Sequence, residues 1–78
     1  MTNVSINNIF QQIIQDNWIA AKISIYDLPL VIPKFQCVIQ HKNIKISILL
    51  DKNQDNLYVT QNLVSALNLL LENSCKIS

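Results

Sequence analysis

Seventy-eight residues, 50% hydrophobic and only 14% charged, with formal net charge +1, no glycine and no arginine, make one domain (1–78) whose core supplies roughly 3 to 5 kcal/mol. The composition excludes a Gly-rich phosphate loop and a bidentate guanidinium contact to phosphate or guanine, and so small a charge attracts polyanions little. Two cysteines, Cys37 and Cys75, exclude a disulfide-rich scaffold and match no zinc-ribbon spacing.

No basic segment leads into an apolar run at the N-terminus, and no apolar run approaches the roughly 20 residues of a membrane span. The expectation is a soluble, reduced, cytoplasmic or organellar chain, with no membrane association. The abundance of Ile, Asn and Lys reads as coding bias of an AT-rich genome.

Ile6, Ile9, Phe10, Ile13 and Ile14 follow an i, i+3, i+4, i+7, i+8 spacing, which predicts an amphipathic helix over 4–16 with Asn3 or Ser5 as its N-cap. Its outer face, Asn8, Gln11, Gln12 and Gln15, is neutral, so docking must hold it. From Trp18 the period is two. Ile19, Ala21, Ile23 and Ile25 point one way, and Ala20, Lys22, Ser24 and Tyr26 the other, as in a strand with one buried face. Residues 27–34 carry Pro29 and Pro33, which donate no ladder hydrogen bonds. Leu28, Leu30, Val31 and Ile32 make this connection apolar. It is expected to cross the end of the core and bury two or three of those side chains; the alternative is an edge segment offered to a partner by strand addition.

Residues 35–50 read as a hairpin folded at Lys42-Asn43. His41 then faces Ile44, Ile39 faces Ile46, Cys37 faces Ile48 and Phe35 faces Leu50 on an apolar side. The other side pairs Gln40 with Lys45, Val38 with Ser47 and Gln36 with Leu49, and a one-residue slip would mix the faces. Residues 51–56 are turn formers. Residues 57–59 are a candidate fourth strand, followed by a helix over 61–73 with Thr60 as N-cap. Its stripe is Leu63, Val64, Leu67, Leu70 and Leu71, with Ala66 at the edge and Leu69 exposed. Asn73 is expected to close it, leaving 74–78 as a tail. Without glycine, left-handed backbone is expected on Asn43, Asn53, Asp55, Asn56 and Asn73.

The fold class that follows is α+β: a two-layer sandwich in which a three-stranded antiparallel sheet, with 57–59 as a candidate fourth strand, carries an N-terminal and a C-terminal helix on one face. The other face displays Lys22, Ser24, Tyr26, Gln36, Val38, Gln40, Lys45, Ser47 and Leu49.

Catalytic and metal constellations are thin. Cys37 and His41 share a strand face about 13 Å apart, too far for a dyad, and Cys75 would have to approach through the tail to complete a metal site. Asp16, Asp27, Asp51, Asp55 and Glu72 are scattered; Asp51 and Asp55 flank a loop that lacks the Gly and Glu of a calcium site. Ile48-Leu49-Leu50-Asp51 with Leu57-Tyr58-Val59-Thr60 and Leu63-Val64 resembles the rhythm around the catalytic Asp of retroviral-type aspartic proteases. In that family Ser or Thr and then Gly follow the Asp, whereas Lys52-Asn53 follow Asp51. Without the Gly that permits the tight turn, the resemblance assigns neither family nor catalytic residue.

The functional expectation is a small non-enzymatic protein-binding module: an adaptor, small subunit, regulator or inhibitor of a larger protein. Its contact residues are Tyr26, Leu30, Val31, Ile32, Val38, Lys45 and Leu49, without metal or cofactor, and homodimerisation is compatible with it. The alternative is a weak nucleic-acid binder in which Lys22, Lys42 and Lys45, joined by Lys34, gather near the hairpin with Tyr26 as stacking platform.

Overall fold

In the computed structural model, residues 2–77 are described, with side chains described for 2–73. Helix α1 spans Asn3–Asp16. Thr2 is its N-cap, its hydroxyl accepting the Ser5 N–H at 3.3 Å, so the cap lies just before the expected Asn3 or Ser5. Ile6 and Phe10 are fully buried, and Ile9, Ile13 and Ile14 pack around them.

Trp18 does not begin a strand. It stands at φ 57, just past the C-cap Asn17. Its N–H bonds the Gln15 carbonyl at 3.4 Å, and the Ile19 N–H bonds that of Ile14 at 2.9 Å. This is the paired reverse bonding that ends many helices, at a position usually held by glycine. The chain straightens only at β1, Lys22–Leu28.

Strands β2, Lys34–His41, and β3, Ile44–Asp51, complete an antiparallel sheet of order β1-β2-β3. The hairpin register is the expected one, from His41↔Ile44 to Phe35↔Leu50. Only the first loop residue, Lys42, has positive φ (56°), the sign pattern of a type II′ turn. Among the described residues the left-handed positions therefore fall on Trp18, Lys42 and Asn53. The preference for Asn holds at Asn53 and gives way elsewhere, because helix end and hairpin twist dictate where the chain must turn.

Trp18 is 94% exposed, so its indole offsets little of the left-handed strain. Trp18→Gly and Lys42→Gly should each stabilise the fold by about 1 kcal/mol. Thermal unfolding should show a Tm rise of roughly 4–8 °C apiece; an unchanged or lower Tm would mean these residues make compensating contacts.

The second helix, α2, spans Asn56–Ile77. It absorbs Leu57, Tyr58 and Val59, so the candidate fourth strand does not form. Asp55, not Thr60, caps it: its carboxylate accepts the Tyr58 N–H at 2.9 Å and its carbonyl the Val59 N–H at 3.3 Å. Burial of Val59 extends the stripe of Leu63, Ala66, Leu67 and Leu70 by a turn, and this decides for helix over strand. Val64 lies at the rim, 37% exposed. Past Asn73 no Gly or Pro stops the helix, so the expected tail is helical to Ile77, and the end of that tail, residue 78, lies outside the described residues.

Both helices cover one sheet face. Phe35, Cys37, Ile39 and Leu50 form a single core with Ile6 and Phe10 of α1 and Val59, Leu63, Leu67 and Leu70 of α2. Helix α1 lies along β1, and α2 along β2 and β3. The shortest extent, 16 Å, accommodates one helix layer on one sheet. His41 donates from Nδ1 to the Ala20 carbonyl at 2.7 Å, since a carbonyl only accepts, and this ties the segment after α1 to the hairpin end.

The Pro-flanked connection departs from expectation. Leu30, Val31 and Ile32 are 54%, 103% and 66% exposed, and only Leu28 is half-buried. The end of the core is already closed. On the core side Lys52 pairs with Asp27, and its ammonium lies 5.0 Å from the centroid of the Phe35 ring, while Lys34 pairs with Asp51 on the opposite sheet face. A tight turn, Leu30 N–H to Leu28 carbonyl at 2.9 Å, then carries the chain outward.

Candidate functional site

The helix-free sheet face is ordered in rows by the two registers. Lys22, Gln40 and Lys45 lie across the hairpin end; Ser24, Val38 and Ser47 come next, then Tyr26, Gln36 and Leu49, then Leu28, Lys34 and Asp51. Tyr26 and Leu49 are 53% and 52% exposed and stand about 10 Å apart on either side of Gln36. Val38 is half-buried between two serines, and Gln36 donates to Ser47 Oγ at 3.1 Å.

The expected contact set is therefore divided. Tyr26 and Leu49 lie near the end of the sheet from which the exposed Leu30, Val31 and Ile32 emerge. Val38 sits midway. Lys45 stands at the hairpin end, about 13 Å along β3 from Leu49, in a row with Lys22 and close to Lys42. Lys34 does not join those lysines; it lies at the far end of β2, paired with Asp51. Tyr26, four residues along β1 from Lys22, likewise stands about 13 Å from the basic row.

Trp18 is the residue the sequence reading missed. A nearly fully exposed indole held in left-handed backbone combines strain with contact potential.

The catalytic candidates do not assemble. Cys37 is fully buried, and desolvation pushes its thiol up to about 11. His41, four residues on, is committed to Ala20. Asp51 is paired with Lys34, and the Asp55 carboxylate caps α2. The Cys75 side chain lies outside the described residues. Among the described residues, no three His, Cys, Asp or Glu side chains gather as metal ligands. A cleft of about 230 Å³ between the helices, lined by Ile13, Ile19, Val64, Leu67 and Leu71, is smaller than the roughly 300 Å³ at which ligand pockets begin.

No helix among the described residues is long and apolar enough to cross a membrane. No protein-family model, curated protein or solved structure matches the chain.

Proposed function

We propose that the chain is a small protein-binding module that docks on a larger protein through Leu30, Val31 and Ile32, with Tyr26 and Leu49 of the open sheet face alongside. The observation that carries this reading is the full exposure of Val31 between two exposed aliphatic neighbours. Contiguous exposed apolar groups mark association surfaces. Pro29 and Pro33 restrict the segment's freedom before binding, so less entropy is lost when it docks. A complementary partner surface presents an apolar pocket for the aliphatic side chains. Unpaired backbone donors and acceptors for an added strand would complete it.

Photo-crosslinking in the producing cells tests the reading. A benzophenone amino acid at position 31 should give a discrete heavier adduct, and the same probe at position 11, on the exposed face of α1, should not. Adding Leu49→Asp and Ile32→Asp should remove the adduct. Equal labelling from positions 31 and 11, or none from either, would sink the proposal.

A further inference from the structure

We propose that the free edge of β3 pairs antiparallel with the same edge of a second copy of this chain, fusing two three-stranded sheets into one. The inference does not rest on the docking reading above: it uses the backbone of β3, and of the docking residues only Leu49 lies on that strand.

The two-residue loop Lys42-Asn43 makes His41 and Ile44 the doubly hydrogen-bonded closing pair. Alternation then turns the backbone groups of Ile44, Ile46, Ile48 and Leu50 toward β2, and those of Lys45, Ser47, Leu49 and Asp51 away from it. Two bonds agree with that assignment. The Lys52 N–H continues the β2-directed series by reaching the Pro33 carbonyl at 3.4 Å, whereas the Asp51 N–H is met from the open side by the Tyr58 hydroxyl at 3.3 Å. Beyond β3 there is no further strand among the described residues, so Lys45, Ser47 and Leu49 present their N–H and C=O groups outward.

The two edges of the sheet are defended unequally. Along β1, alternation places a carboxylate, Asp27, on the core side with Ile23 and Ile25, and Pro29 follows the strand. An inward charge and a proline are usual devices against edge pairing. Strand β3 has no proline and no bulge in its register with β2, and its core-side residues are Ile44, Ile46, Ile48 and Leu50.

Charge complementarity selects the second copy and the register. Both copies keep their isoleucines on the core side only when odd-numbered residues of β3 face odd-numbered ones. With the two-fold axis at Ile48, Lys45 faces Asp51 of the second copy, Ser47 faces Leu49, Ile46 faces Leu50, and Ile48 faces itself. Symmetry repeats the Lys45–Asp51 pair at both ends. Moving the axis to Ser47 sets Lys45 against Leu49, and moving it to Leu49 leaves Lys45 beyond the ladder. Asp51 already holds Lys34 beside it in the same sheet row, so the added lysine completes a carboxylate flanked by two ammonium groups. The Tyr58 hydroxyl keeps the Asp51 N–H and ends the ladder there.

Sedimentation of the full chain over a range of concentrations tests the proposal. The expected result is a concentration-dependent rise from monomer to dimer. Lys45→Asp sets two carboxylates against each other twice and should weaken the dimer about tenfold. Ser47→Pro, which removes an outward N–H and leaves the bonds to β2 in place, should be monomeric with an unchanged far-ultraviolet circular dichroism spectrum. Lys45→Asp mixed with Asp51→Lys should form a mixed dimer, which also reports that both variants fold. A wild-type chain that stays monomeric overturns the proposal, as does dimerisation that persists in Lys45→Asp and Ser47→Pro.

Discussion

Phe10→Ala should leave the chain without a cooperative fold at room temperature. Phe10 is fully buried where α1 meets the core, and truncating such a side chain costs about 3–5 kcal/mol. The stability of a domain this size is of the same order, roughly 3 to 5 kcal/mol. Nothing local offsets the loss. The side-chain bonds within α1 lie at the surface, Thr2 to Ser5 at its start and Gln12 to Asp16 at 2.8 Å near its end, and such exposed bonds add little. Urea titration followed by circular dichroism should show a flat, partly helical baseline for Phe10→Ala and a shifted but cooperative transition for Phe10→Leu. A sigmoidal Phe10→Ala curve with the wild-type midpoint would mean that α1 contributes nothing to the core.

Cys37 should resist alkylation by far more than an ordinary thiol. Its pKa of about 11, against 9.0 for an exposed cysteine, lowers the thiolate fraction near neutral pH about a hundredfold. Full burial restricts reaction to the opened chain, where the thiol regains its ordinary acidity, so each 1.4 kcal/mol of stability slows labelling about tenfold. In a Cys75→Ser background, iodoacetamide labelling should be slow in buffer and rapid in urea. Labelling at equal rates in both would place the thiol at the surface. The same burial gives an alkaline limit. Between pH 9.0 and about 11 the unfolded chain is thiolate while the folded chain keeps its proton, so the folded state binds more protons and stability falls as pH rises. The loss reaches about 2 kcal/mol at the upper end, and Cys37→Ala should remove it.

The hairpin was legible because every second residue is apolar on both strands, Phe35, Cys37 and Ile39 against Ile46, Ile48 and Leu50, with turn formers at Lys42-Asn43. Extending that register by one residue puts Lys34 opposite Asp51, which already withdraws Lys34 from the hairpin lysines. The start of α2 was not legible. Leu57, Tyr58 and Val59 favour strands locally, and the Asp55 cap together with the burial of Val59 overrides that preference. Apolar composition also misled at 30–32, where the Lys52–Asp27 pair beside the Phe35 ring closes the end of the core and leaves the aliphatic side chains outside. Of the candidate surface, the face on which each strand residue lies was readable from alternation. Trp18 was not, because its exposure follows from the backbone geometry at the end of α1.

Each strand bonds to its neighbour in the chain, so the meander needs little loop closure and can assemble on the order of milliseconds. The oily side of β2 and β3 nevertheless stays uncovered until the ribosome has delivered α2, and 22 residues at about 5–20 per second take seconds. During translation the growing chain therefore carries part of its core uncovered, and that interval, rather than the mature state, is when a nascent copy is most exposed to its neighbours.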